Sequence, residues 1–434
     1  MPLTTPSGTL GAMSSESDPA ADALAEALAA AGLGGVAPPT PADPLSAALA
    51  AAGLADSVPG APAPPQVGGP MVVSTPEEDD EPDELPRWPF GIATGVGSMP
   101  GTDVREAAAI VAGEVGAMPF VPELPARGVG ADIVGRTAGM LVDLAVETVP
   151  TGYRVTQRRG RDHRRAVDLL RGDLDAFDEA CDPVHPGWVK VQAAGPWTLA
   201  ATVELHAGHR VLTDRGAVRE FAASLLEGLR GHVAEVAARS GAHVVVQLDE
   251  PALPAVLRGS LPTASGYGTV RAIDKIDVAD VLREFVDTFS DLGSPVVLHC
   301  CADDPPLRVL GSVGAAAIGI DGTRRAISGD TAIPAALDAV GEVWDAGTPI
   351  MLGLVGTKAP LRAPEIPALA QRAFDLADRL GFARHRLAEL AVPTPTCGLA
   401  GATPDWARTA LGLCRQLGAA FLDPTGDKDV DERS

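Results

Sequence analysis

The segment Val296-Val-Leu-His-Cys-Cys301 sets an imidazole and a thiol two residues apart on an apolar, strand-like run. Side chains two apart on a strand share a face, so His299 and Cys301 point one way and Cys300 the other. That pairing suits zinc, which takes N and S ligands and would need two more. Taken alone, the same H-x-C is compatible with a buried core pair. Two further donors close equivalent apolar runs: Asp321 follows Ala315-Ala-Ala-Ile-Gly-Ile320, and Cys397 follows Leu390-Ala-Val-Pro-Thr-Pro-Thr396. Together they complete a set of one His, two Cys and one carboxylate. Ligands separated by tens of residues converge only through the tertiary fold, which points to a catalytic site rather than a local zinc knuckle.

Two adjacent carboxylates end the apolar run of Val244-Val-Val-Gln-Leu-Asp-Glu-Pro251. Alternation sends Asp249 and Glu250 in different directions. One of the two can bind an ammonium group or act as a base, and the other can anchor a neighbouring loop or cap a helix. Gly95-Val-Gly-Ser-Met-Pro-Gly101 could present amides and the Ser98 hydroxyl to a small anion. Its spacing is not the dinucleotide fingerprint, and a tight strand-to-helix turn explains the glycines equally well. The remaining candidates read as ordinary: Cys414 as core packing, Cys181 as an exposed loop thiol, His206 and His209 as solvated side chains on a helix and loop.

The elements that must position these groups alternate between short Val, Ile and Leu runs and longer amphipathic stretches from Trp88 to about Leu422. The runs Gly91 to Val96, Val189 to Ala193, His243 to Leu248, Pro295 to Leu298, Ala315 to Ile320, Pro349 to Leu354 and Leu387 to Val392 read as strands. Ala107 to Val115, Val218 to Ala238 and Ile366 to Leu380 read as helices. The pattern predicts an α/β fold, a (β/α)8 TIM barrel over residues 86–425, with an open doubly wound sheet as the alternative. In a barrel the strand ends that carry the polar residues open onto the active face. Residues 1–85 are rich in Ala, Pro and acid, with a near-repeat (Leu24 to Leu33, Leu45 to Leu54) and the run Glu77-Glu-Asp-Asp-Glu-Pro-Asp-Glu84. They read as a disordered low-complexity tail with transient helices, and residues 426–434 as a short acidic tail. With 34 basic against 57 acidic residues and a net charge of −23, nucleic acid and anionic membranes are unsuitable partners. No long uncharged apolar run or secretion signal is apparent, and five cysteines is an odd count. A soluble cytoplasmic protein with reduced thiols is expected.

These residues, in this order over about 90 to 405, resemble the C-terminal catalytic barrel of cobalamin-independent methionine synthase. That family lies within the superfamily that includes uroporphyrinogen decarboxylase. Val96-Gly-Ser98 with Met99-Pro100 is similar to the family's turn that grips the homocysteine carboxylate, which implies Val96, Gly97 and Ser98 as substrate contacts. Lys190-Val-Gln-Ala-Ala-Gly-Pro-Trp-Thr-Leu199 resembles its Gly-Pro-x-Thr strand. Gln247-Leu-Asp-Glu-Pro-Ala252 resembles the segment whose Asp binds the substrate amino group, which implies that role for Asp249 with Glu250 supporting. His299-Cys-Cys301 and Thr394-Pro-Thr-Cys-Gly-Leu399 resemble the family's zinc segments, implying His299, Cys301 and Cys397 as ligands.

Three departures accompany the resemblance. Asp321 stands where the family has Glu, one methylene shorter. Lys358 stands where the family has a His implicated in protonating the folate. No second barrel precedes the first in this sequence, whereas full-length enzymes use one to help hold polyglutamylated methyltetrahydrofolate. The resemblance implies methyl transfer to homocysteine or a related thiol, from a methyl-corrinoid protein or methyltetrahydrofolate, with zinc as cofactor. Glu123, beyond another strand in Met118-Pro-Phe-Val-Pro-Glu-Leu-Pro125, is a second candidate for the ammonium group. The rival readings are a metal-free superfamily reaction such as decarboxylation and a silent barrel serving as a binding module.

Overall fold

Six parallel strands form one sheet in the order of the chain: β1 (Trp188–Ala194), β2 (His243–Asp249), β3 (Val296–His299), β4 (Ala317–Asp321), β5 (Ile350–Val355) and β6 (Ala391–Pro395). The structure, a computed structural model, describes residues 85–329 and 332–424. The expected N- and C-terminal tails, with the near-repeat and the acidic run, lie outside the described residues. Two extended stretches close the sheet on itself. The Thr94 amide donates to the Pro393 carbonyl (3.4 Å) beside β6. The Glu123 amide donates to the Gly97 carbonyl (3.1 Å), and the Val121 amide to the Lys190 carbonyl (3.0 Å) in β1. The ring therefore has eight staves and matches the expected (β/α)8 barrel.

Eight buried side chains, one from each stave, fill the barrel floor: Ile92, Met118, Trp188, Val245, Val297, Ala317, Met351 and Val392. Because strand side chains alternate, the inward positions above that floor are two and four residues further on. Counting from Trp188 gives Lys190 and Gln192; from Val245, Gln247 and Asp249; from Val297, His299 and Cys301; from Ala317, Gly319 and Asp321. Polar chemistry thus begins one layer above an apolar plug. Helices return the chain between strands, among them Arg161–Cys181, Arg215–Ser240, Lys275–Ser290, Ile366–Leu380 and Pro404–Leu422. Their apolar stripes join the outer faces of the strands in one continuous buried cluster. Asp103, Asp214 and Asp274 cap helix starts by accepting backbone N–H bonds. Among the described residues no helix is long and apolar enough to cross a membrane.

Four local expectations are corrected. The run 91–96 is extended but joins its neighbours by isolated bonds rather than a ladder. Leu387–Leu390 is a helical turn, and the strand starts at Ala391. Leu387 and Leu390 are both buried, and so short an apolar run has no period that separates helix from strand. Cys181 is the buried last residue of the helix Arg161–Cys181 rather than an exposed loop thiol. His206 and His209 lie in a turn closed by a bridge between Glu204 and Arg210.

Candidate active site

The carboxyl ends of the staves surround one cavity lined by Val96, Gly97, Ser98, Glu123, Asp249, His299, Cys301 and Cys397, together with Ile133, Pro251 and Gly398. The parallel register sets Asp249 of β2 beside His299 of β3, and Asp249 Oδ1 lies 2.7 Å from His299 Nδ1. Gln247 Nε2 donates to the same carboxylate oxygen at 2.7 Å. That oxygen accepts twice, so the imidazole donates through Nδ1 and leaves Nε2 as its free acceptor. Burial opposes charge on His299, but the bond to Asp249 and its negative charge prevail and raise the His299 pKa. The ring needs room. A Cβ on Gly319 of the adjacent strand would stand 2.9 Å from His299 Cδ2.

The Cys301 and Cys397 sulfurs are 2.7 Å apart, and both residues are free thiols. The hydrogen bond from Cys301, with help from His299 and against burial, holds Cys397 below the ordinary thiol range. The same bond, together with burial, pushes Cys301 well above it. Cys300, facing away, is fully buried, and burial pushes its thiol up to about 12. The donor set fits zinc by its chemistry: one imidazole with its outer nitrogen tied to a carboxylate, and two thiols, one of them already biased toward thiolate. Among the described residues no three His, Cys, Asp or Glu side chains are arranged to enclose a metal ion. Asp321 ends β4 on an inward position, but its Oδ1 accepts from the Thr323 amide (2.9 Å) and hydroxyl (2.7 Å). Its Oδ2 pairs with Arg324 at 2.9 Å.

In the same cavity, Ser98 Oγ and Glu123 Oε1 are buried and have no hydrogen-bond partner among the described residues. Buried polar groups are seldom left unpaired, so Ser98 Oγ marks a place where a polar ligand is wanted, while Glu123 Oε1 has only the longer ion-pair contact to Arg136 Nε at 3.8 Å. Burial pushes the Glu123 carboxyl up to about 7, against the opposing charges of Arg136 and Lys190. Glu250 does not line the cavity. It is fully buried and accepts from the Trp197 amide (2.9 Å), the Thr198 amide (2.7 Å) and the Thr198 hydroxyl (2.7 Å), securing the start of the helix Pro196–Thr202. Lys358 lies exposed on the loop after β5 and does not line the cavity.

Several residues beneath the cavity were not singled out by sequence reasoning. Lys190 and Gln192 of β1 and Gln247 of β2 are buried and joined by hydrogen bonds. Arg136 stands between Glu123 (3.8 Å) and Asp173. The available signal was a Lys and a Gln at alternate positions of an otherwise apolar strand, where a purely structural stave would carry aliphatic residues.

An eight-stave barrel with convergent donors at its strand ends defines an α/β-barrel catalytic domain. Residues 91–420 match the family described as cobalamin-independent synthase, catalytic domain. The chain belongs to that family, so the resemblance carried by its motifs holds, and with it a methyltransferase-type catalytic domain. Among solved structures, a B12-independent methionine synthase from Shewanella sp. W3-18-1 in complex with selenomethionine is similar over 76% of this chain and 97% of its own, at 12% identity and a TM-score of 0.49. A methyltransferase from Methanosarcina mazei is similar over 77% of this chain and 94% of its own, at 16% identity and a TM-score of 0.45. No curated protein matches the sequence.

Proposed function

We propose that this protein transfers a methyl group to the sulfur of homocysteine, giving methionine, with zinc held by His299, Cys301, Cys397 and Asp321. The observation that carries the reading is the convergence of His299, Cys301 and Cys397 with the unpartnered Ser98 Oγ and the buried Glu123 carboxyl in one cavity. Thiol-binding donors and amino-acid-binding groups together describe an amino acid that carries a thiol. The methyl donor is a methyl-corrinoid protein or methyltetrahydrofolate. A reducing compartment, the cytoplasm, suits a chain whose five cysteines are all free.

In this mechanism the Gly97 amide and the Ser98 hydroxyl donate to the substrate carboxylate, while Asp249 and Glu123 receive the ammonium group. Asp249 Oδ1 is already committed to Gln247 and His299, so Oδ2 is the oxygen available to substrate. Two charged contacts at one end of a short chain fix where its sulfur falls, and that orientation supplies much of the rate. Zinc, when bound, supplies a Lewis acid that keeps the acceptor sulfur ionised at neutral pH. A fourth-ligand role for Asp321 requires its carboxylate to leave Arg324 and Thr323. Lys358, where the family has a proton-donating His, is assigned to the donor side of the reaction.

The test is the zinc content of reduced wild type beside Cys301→Ser and Cys397→Ser, with homocysteine titrated at pH 8 while released protons are followed. Burial holds Glu123 at about 7 and Lys190 at about 8, so methionine, with the same ammonium and carboxylate but no thiol proton, is titrated alongside and the difference in released protons reports the thiol. One zinc ion per chain, lost in both variants, with a proton released on binding, is the expected result. Zinc-free wild type that releases no proton would overturn the reading in favour of a metal-free or silent barrel.

A further inference from the structure

Lys190 is fully buried in β1, and among the described residues its ammonium group touches no carboxylate. Its three protons go to neutral acceptors: the Val96 carbonyl at 3.0 Å, Gln247 Oε1 at 2.8 Å and Gln192 Oε1 at 3.3 Å. The Phe120 ring lies 5.3 Å away. A methionine would fill much the same space without the cost of burying a charge, so stability does not explain the lysine. What it touches does. An ammonium group only donates, so Gln247 must turn its oxygen to Lys190 and its nitrogen the other way. That nitrogen then donates to Asp249 Oδ1 and to the Val96 carbonyl, both at 2.7 Å. Asp249 in turn holds the His299 ring. The Val96 carbonyl thus accepts from Lys190 and Gln247 together, and the turn it anchors is the one that presents Gly97 and Ser98.

We propose that Lys190 is a positioning residue that sets both amino-acid-binding arms of the cavity at once. It fixes the Val96–Ser98 turn directly and the Asp249 carboxylate through Gln247. The inference rests on the reading of the cavity as a site for an amino-acid thiol, and it assigns Lys190 to recognition of the ammonium and carboxylate groups rather than to the sulfur. Without Nζ, Gln247 Oε1 is left buried without a donor and the amide loses the constraint that orients it. The turn keeps one of its two bonds at Val96.

The experiment compares Lys190→Met and Gln247→Leu with wild type, all loaded with zinc, measuring calorimetric affinity for homocysteine and for 2-mercaptoethanol. The second thiol has neither ammonium nor carboxylate. Because His299 keeps its own bond to Asp249 Oδ1 in both variants, the expected result is tenfold or greater weakening for homocysteine with zinc content retained and 2-mercaptoethanol affinity changed less than threefold. A merely structural lysine would weaken both thiols together and lower zinc retention, and that outcome overturns the proposal, as does unchanged homocysteine affinity. Failure of the underlying reading looks different, because wild type itself would then hold no zinc or bind no homocysteine.

Discussion

Glu123 is a carboxyl group held where a carboxylate is costly: burial moves it from an ordinary 4.5 to about 7. Between those two values the unfolded chain has released the proton and the folded chain has kept it. Rising pH therefore favours the unfolded state across that window, and the stability owed to the neutral carboxyl is present below pH 4.5 and lost by pH 7. The size is on the order of 3 kcal/mol for a shift of this kind. Glu123→Gln keeps the shape and removes the titration, so the loss of stability between pH 5 and pH 8, read from urea midpoints of ligand-free protein, should shrink by that order. An unchanged pH slope would show that Glu123 is ionised in the free protein. At this scale the site was largely legible in the sequence. Strand alternation alone places His299 with Cys301 and separates Asp249 from Glu250, and the cavity lining has the first two together and only Asp249 of the second pair. The Lys190–Gln247–Asp249 chain was not legible, because it depends on which residues of β1 and β2 stand level, and a single strand contains no register. Nor does the position of Asp321 at a strand end disclose that Arg324, three residues on, pairs with its carboxylate.

Elements bring the donors together only because neighbouring strands leave them room. Gly319 of β4 pairs with His299 of β3 in the parallel register, and an added Cβ there would lie 2.9 Å from the imidazole Cδ2 and 3.2 Å from its Cβ. Those are contacts with a side chain pinned by Asp249, so the ring cannot simply swing aside. Gly319→Ala should displace the imidazole while leaving the barrel folded, at a cost of about 1–3 kcal/mol for overpacking. Zinc affinity, read by competition with a chromophoric chelator, should fall tenfold or more, while the urea midpoint shifts only modestly. Equal zinc affinity in the variant would mean that the ring position seen here is not the one the metal uses. The strand and helix pattern was readable where runs were long or strongly apolar, as in Ile366–Leu380, which the structure matches at both ends. It misled at Leu387–Leu390, where one helical turn buries two leucines and the β-rich sequence begins only afterwards. The first stave was legible as extended but not as part of a ring, since its pairing is a few isolated bonds, to Glu123 on one side and to Pro393 near the far end of the chain on the other.

At the scale of the whole molecule, the ring closes between residue 91 and residue 395, and every stave, the apolar floor and the cavity lie within the described residues. Thirteen of the acidic residues and none of the basic ones precede Leu85, so more than half of the net charge of −23 is carried outside the barrel sequence. Like charges repel over a range set by salt, about 8 Å at physiological ionic strength, and contribute to solubility far more than to fold. The barrel holds its own hydrogen-bond closure and its own core, and the proposed site draws on no residue before Val96. Removal of residues 1–84 should therefore leave the thermal midpoint within about 1 °C at 0.15 M salt, less than the shift of roughly 1.5 °C that 1 kcal/mol brings in a domain of this size at about 2 cal/mol/K of unfolding entropy per residue. Zinc content should stay equal to that of the full chain, and elution from an anion exchanger should move to lower salt. A larger drop in midpoint, or loss of zinc, would mean that the first 84 residues supply part of the barrel's stability or of the site. Turnover with a candidate donor protein is the separate reading to take on the same truncated chain. If it falls while turnover with a small-molecule donor does not, the acidic segment is where that protein docks.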